Sequence, residues 1–169
     1  MGLPRKLTKY VLFNDAEAYL CEVAEVTLPK LERDTEAYRA GGMPGEVMVD
    51  RGMKAMMMEW TAGGFIRTVL TQWGASRADA VQLRFVGALQ SDDHGIPGVV
   101  EVLVRGRHTE IDFGKAKTGD KTEIQIKTAL TYYRITLNGE ELIEYDFINM
   151  IEKVAGDDVL SPVRAVLGI

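Results

Sequence analysis

At 169 residues the chain can bury one substantial core but is short for two, so a single domain spanning residues 1–169 is expected. Hydrophobic residues make up 46%, charged residues 27%, and both signs are dispersed, which is the composition of a folding globular protein and not of a disordered one. The net charge of -5 speaks against a surface that clamps nucleic acid, and a single cysteine, Cys21, rules out an intramolecular disulfide and a thiolate zinc cluster. The basic start from Met1 to Tyr10 lacks the continuous apolar stretch of a secretory signal, and no segment reaches the length of a membrane-spanning helix. Cytoplasmic synthesis without a membrane anchor is the expectation.

In chain order, the first expected hairpin joins Tyr10–Phe13 to Ala18–Val26 across Asn14-Asp15, a pair whose short polar side chains favour tight turns. A second extended region runs from about Val26 through alternating charged and apolar residues to Tyr38 and reverses at Ala40-Gly41-Gly42-Met43-Pro44-Gly45. Glu46–Asp50 and then Met53–Trp60 follow. In the latter run Met56, Met58 and Trp60 share one face of a strand, while Met53, Ala55 and Met57 share the other. Both faces are apolar, so the strand is covered on both sides or lends one face to a neighbouring subunit.

Gly64 opens the clearest helical pattern, in which Phe65, Ile66, Val69, Leu70 and Trp73 form one stripe expected to be buried, with Gly74 at its end. From Ala80 the period returns to two: Val81, Leu83 and Phe85 alternate with Gln82 and Arg84, and the turn Ser91-Asp92-Asp93-His94-Gly95 leads into Val99–Arg107. After Lys115–Asp120 a long strand carries Ile124, Ile126, Thr128, Leu130 and Tyr132 on one face. Consecutive Tyr132 and Tyr133 point to a change of face or a bulge. Asn138-Gly139 predicts a two-residue hairpin, because both residues accept positive φ. Ser161-Pro162 predicts a short terminal helix with Ser161 as its cap. The sum is a mainly β domain, sandwich or barrel-like, with one central α-helix and a small C-terminal one.

Candidate chemistry is sparse. Asp92-Asp93-His94 places three potential metal ligands in a row, yet adjacent residues seldom converge on one ion, so a polar turn is the favoured reading. His108, in Arg105–Glu110, reads as an exposed strand-end residue. Gly41–Gly45 lacks the Lys-Ser/Thr ending and following helix of a phosphate-binding loop. Glu140-Glu141 and the series Glu32, Asp34, Glu36 read as solvated faces, and Met53, Met56, Met57 and Met58 as adaptable packing rather than a soft-metal site. No catalytic, cofactor-binding or metal-binding residue is assigned, and no cofactor is expected. A small β-barrel ligand binder or enzyme using His94 or His108 is the rival from another class.

Short strings in a fixed order carry a more specific message. Thr27–Leu31, Tyr38-Arg39-Ala40-Gly41-Gly42-Met43, Val49-Asp50 with Gly52, and Met58-Glu59-Trp60 come first. Then follow Arg105-Gly106-Arg107 with Glu110-Ile111-Asp112, Tyr132-Tyr133-Arg134, Asn138–Leu142, Ile148–Lys153 and Leu167-Gly168-Ile169. Taken together they resemble the major tail tube proteins of contractile-tailed phages and R-type pyocins. Ala155–Val159, where that family more often has Asn-Gly and a single Asp, and Pro162 are departures.

The resemblance implies a β-sandwich or barrel-like subunit that forms hexameric rings stacked into a tube. The tube's partners would be a sheath protein outside, baseplate and tail terminator proteins at the ends, and a tape measure protein and DNA in the lumen without specific binding. It implies a virion protein assembled in the bacterial cytoplasm, with a phage-derived bacteriocin tube or a secretion-system tube as alternatives. It also implies a long protruding hairpin at about 31–54. The candidate assembly residues are Tyr38, Arg39, Gly41, Gly42, Met43, Val47, Met48, Val49 and Asp50. Arms of roughly ten residues at about 3.3 Å each would project some 30 Å, and apolar side chains so far from a core need a partner. An acidic lumen would let DNA slide by repelling its phosphates.

Overall fold

The alternating segments form strands in the computed structural model, which describes residues 3–92 and 94–169. In chain order these are β1 (Lys6–Asn14), β2 (Glu17–Ala18), β3 (Val23–Thr27), β4 (Arg33–Tyr38), β5 (Val47–Met53), β6 (Met57–Ala62), helix α1 (Arg67–Gln72), β7 (Val81–Ser91), β8 (His94–Asp112), β9 (Ile124–Leu137), β10 (Glu140–Asp146), β11 (Ile151–Val154), β12 (Asp157–Asp158) and helix α2 (Ser161–Leu167). All pairings are antiparallel. Ten strands join in one sheet ordered β12-β11-β10-β9-β8-β7-β1-β2, with β6 added to β9 and β3 to β6, whereas β4 and β5 pair with each other in a separate hairpin.

Strand β9 organises this sheet. One edge runs along β8 throughout; the other meets β6 over Ile124–Ala129 and β10 over Tyr132–Leu137. At the change of partner Thr131 is left over, since Arg105 faces Tyr132 and Gly106 faces Leu130. This is the bulge that the paired tyrosines suggested. It switches the inward face, so Leu130 and Tyr133 both enter the core. The sheet folds over itself there. Met58, Trp60, Ile124 and Ile126 from one half pack in a single cluster with Leu12, Leu83, Phe85, Val102, Val104 and Tyr133 from the other, which is a β-sandwich arrangement.

Several sequence expectations hold. Asn138 and Gly139 take φ of 50° and 83°, and the Asn138 backbone N–H and side-chain oxygen bond Val99 at 2.8 and 3.0 Å. Met56, Met58 and Trp60 are buried while Met57 on the opposite face is 41% exposed. The departure at Ala155-Gly156 keeps a hairpin turn, with Ala155 itself at φ 52°, a region costly for a residue bearing a Cβ.

Others change. The first expected hairpin closes only through the two-residue β2, and β3 pairs with β6 instead. The positive φ of Cys21 (65°) and the buried Tyr19 redirect the chain between them. Helix α1 starts at Arg67 and has six residues, less than two turns, so only Val69 of the expected stripe is buried; Phe65 and Trp73 are 67% and 51% exposed. Helix α2 begins at Ser161, not after it. Its N-cap is Leu160, whose N–H is bonded by Asp158 Oδ1 at 3.2 Å, and Ser161 makes no side-chain cap.

Candidate assembly surface and its root

The hairpin expected at about 31–54 is present as β4 and β5, with Tyr38 opposite Val47, Ala37 opposite Met48 and Glu36 opposite Val49. Period-two geometry therefore puts Tyr38, Val47 and Val49 on one face and Met48 with Ala37 on the other. All four large apolar residues are exposed, from 47% at Val49 to 59% at Met48. The paired arms are shorter than expected, six and seven residues, or about 23 Å on the longer. A turn over 39–46 extends the tip. There Gly42 takes φ 87°, the Met43 N–H bonds Ala40 O at 3.2 Å, and Gly41 has open space around it. Arg39 is exposed beside them.

The root is built from charges. Arg33 on β4 donates through one guanidinium nitrogen to Asp50 Oδ2 on β5 at 2.9 Å and through the other to Glu152 Oε1 on β11. Glu152 is buried and also accepts from the Tyr145 hydroxyl at 3.3 Å. Asp50 uses its remaining oxygen to bind the N–H of Gly52 at 2.9 Å; the strand carries an extra residue there and Gly52 takes φ 106°. Below this, Lys54 pairs with Glu32 at 2.5 Å and Lys30 with the same carboxylate at 2.7 Å. The two lysines, Lys30 foremost, hold Glu32 down at about 2.

The histidine candidates end differently. His94 opens β8, and Asp93 lies outside the described residues, as does the His94 side chain. His108 is not exposed as expected but 3% accessible. The bulge between His108 and Glu110 turns it inward. Its Nδ1 lies 2.9 Å from the Thr128 hydroxyl and its Nε2 3.3 Å from Gln72 Oε1. Gln72 Oε1 also accepts from the Asn14 amide at 2.7 Å, which leaves His108 to donate from Nε2 and to accept the Thr128 hydroxyl at Nδ1. Asn14 in turn bonds the Tyr19 hydroxyl at 3.0 Å. The chain of side chains ties α1 to the sheet, a structural use of histidine that strand-end position alone does not reveal.

Burial pushes His108 down to about 4 from an ordinary 6.5, so the native state keeps it neutral. The unfolded chain therefore takes up a proton that the native one refuses as pH falls below 6.5. The contribution is complete above that value and is lost on acidification towards 4. Urea unfolding should show about 2 kcal/mol less stability at about pH 5 than at about pH 7.5, and His108→Gln should flatten that slope.

Among the described residues no group of three or more His, Cys, Asp and Glu side chains is arranged to hold a metal ion, and no helix is long and apolar enough to cross a membrane. One folded antiparallel sheet closed on a single core, with a separate two-stranded apolar hairpin, defines the class as a β-sandwich protein. The fold is that of a subunit in the sheath–tube complex of the PVC extracellular contractile injection system (TM-score 0.58, 15% identity, 79% of this chain and 90% of that one). It is likewise that of the same system's sheath/tube terminator structure (TM-score 0.58, 12% identity, 79% and 96%).

The family can be stated from sequence. Residues 4–168 match the model of the phage tail tube protein FII family, to which the chain belongs. It is 45% identical to the tail tube protein of Escherichia phage P2 over 172 residues, covering 100% of both chains, and 38% identical to the major tail tube protein of Serratia phage KSP20, covering 98% of this chain and 96% of that one. These relatives are structural proteins of the phage tail, which points away from enzymatic activity, and the chain is a tail tube protein of a contractile-tailed phage, a component of the virion.

Proposed function

We propose that the chain forms hexameric rings that stack into the inner tube of the contractile tail and conduct DNA to the host, with the β4–β5 hairpin as the contact between subunits. The observation that carries this is the hairpin itself, whose strands pair with each other and whose large apolar residues Tyr38, Val47, Met48 and Val49 stand about half exposed outside the core. Arg39, Gly41, Gly42, Met43 and Asp50 complete the surface. Heterologous contacts that close into a ring and repeat along an axis use such a projection without open-ended aggregation. The tube meets the sheath protein outside, baseplate and terminator proteins at its ends, and the tape measure protein and DNA within, and it works without a cofactor or catalytic residue. Both curated relatives are phage proteins, which favours a phage tail over a bacteriocin.

Two cross-strand rows supply the lumen wall in this reading. Thr27, Glu59, Lys127 and Glu110 align across β3, β6, β9 and β8, and so do Glu25, Thr61, Gln125 and Asp112. Together they present four carboxylates, one lysine and no apolar side chain. The outer face of β1, β7 and β8, by contrast, carries Val11, Phe13, Val86, Ala88 and Val99 around a shallow apolar depression. Water and a sliding polyanion suit the first face, protein the second.

Electron microscopy of the purified protein tests the proposal, with rings or tubes of uniform diameter expected and a persistent monomer overturning it. Phage carrying Glu25→Lys with Glu59→Lys should build normal tubes yet release DNA more slowly; unchanged release would remove these rows from the lumen.

A further inference from the structure

We infer that Arg33 is a positioning residue that sets the direction of the hairpin before the subunits meet, acting as a latch between the projection and the body. The inference rests on the hairpin being the assembly contact, and its geometry is specific. One guanidinium spans three elements: its own strand β4, Asp50 on β5 and Glu152 on β11. Planar guanidinium suits this because its fork holds two carboxylates at fixed angles, which an ammonium cannot do.

Each partner is itself held. Asp50 binds the bulged Gly52 N–H and Glu152 accepts the Tyr145 hydroxyl, so the chain runs from the strand irregularity through Arg33 into the folded sheet. Among the described residues no other charged side chain bonds this guanidinium, and Glu152 raises its pKa further. The other charged ties across the legs, Glu32 to Lys54 and Arg51 to Asp34 and Glu36, join the hairpin to itself and leave its angle to the body open. A latch here reduces the orientations that a free projection samples, so fewer are lost when rings form.

Spin labels on Glu46→Cys at the tip and Glu140→Cys on the body, in a Cys21→Ser background, report that angle in the monomer by their distance distribution. A narrow distribution is expected with Arg33, a clearly broadened one with Arg33→Met, and an intermediate one with Arg33→Lys. The thermal midpoint of Arg33→Met should fall, because Glu152 is left buried without its cation. Tube growth is therefore read in Arg33→Met with Glu152→Gln, where the concentration needed should rise roughly tenfold. An unchanged distance distribution in Arg33→Met would overturn the latch. Tubes that still grow from Val49→Asp subunits would instead remove the hairpin's role in assembly, and leave a narrow Arg33-dependent distribution standing as a property of the monomer.

Discussion

Gly106→Ala is expected to destabilise the subunit by about 3 kcal/mol or more, read as a fall in the urea midpoint, and Gly106→Val to leave little folded protein. A Cβ at this position would lie 2.0 Å from Ala129 O, 2.9 Å from its carbonyl carbon and 3.1 Å from the Leu130 Cα. All three atoms are backbone, so no rotamer change relieves the clash. The site is where Gly106 pairs with Leu130 just before the leftover Thr131, and where β7 leaves the edge of β8. The two strands approach closely there because the sheet bends, and only a residue without a side chain fits the inside of that bend. Gly45→Ala is the matched control. Nothing lies within 4 Å of its Cβ position, and the variant should keep the parent's midpoint.

That bend also shows what could be read in the chain and what could not. Local chemistry was legible: Asn138-Gly139 names its own turn, and the alternation of Met56, Met58 and Trp60 names its buried face. Tyr132-Tyr133 announced an irregularity, but not that Gly106 sits opposite it, because the pairing joins residues more than twenty positions apart. The partner of β3 was hidden for the same reason: a strand's pattern gives its inward face and not its neighbour, and β6 won over β1. For α1 the stripe was real but its burial was not. Apolar spacing reads the same whether a core or another subunit covers it, so Phe65 and Trp73 looked like core residues. The hairpin was placed by its turn glycines and by likeness to a family, whereas its root, which pairs Arg33 with Glu152 over 119 positions, left no local trace.

Val49→Asp should abolish tube formation, raising the concentration required at least a hundredfold, while lowering the subunit's own stability by only about 1 kcal/mol. Both halves follow from exposure. Val49 lies outside the core cluster of the free subunit, so an added carboxylate there meets water, and its repulsion from the directly paired, solvent-exposed Glu36 adds only a modest cost. In the assembled tube the same position would be covered by apolar surface of another subunit. An unpaired carboxylate buried there costs about 3 kcal/mol or more at every repeat of the contact. Sedimentation and electron microscopy give the first half and urea unfolding the second. Val49→Thr separates burial from size: it keeps the shape and adds one hydroxyl, so assembly should weaken without vanishing. Tyr38→Ala should act like Val49→Asp but more mildly, because Tyr38 and Val47 lie opposite each other and share the face with Val49. Met48→Asp tests the reverse face, and the difference between the two faces tells which one the neighbouring subunit covers. A hairpin that works by burying Tyr38, Val47 and Val49 loses far more from the aspartate on that face than from the one opposite.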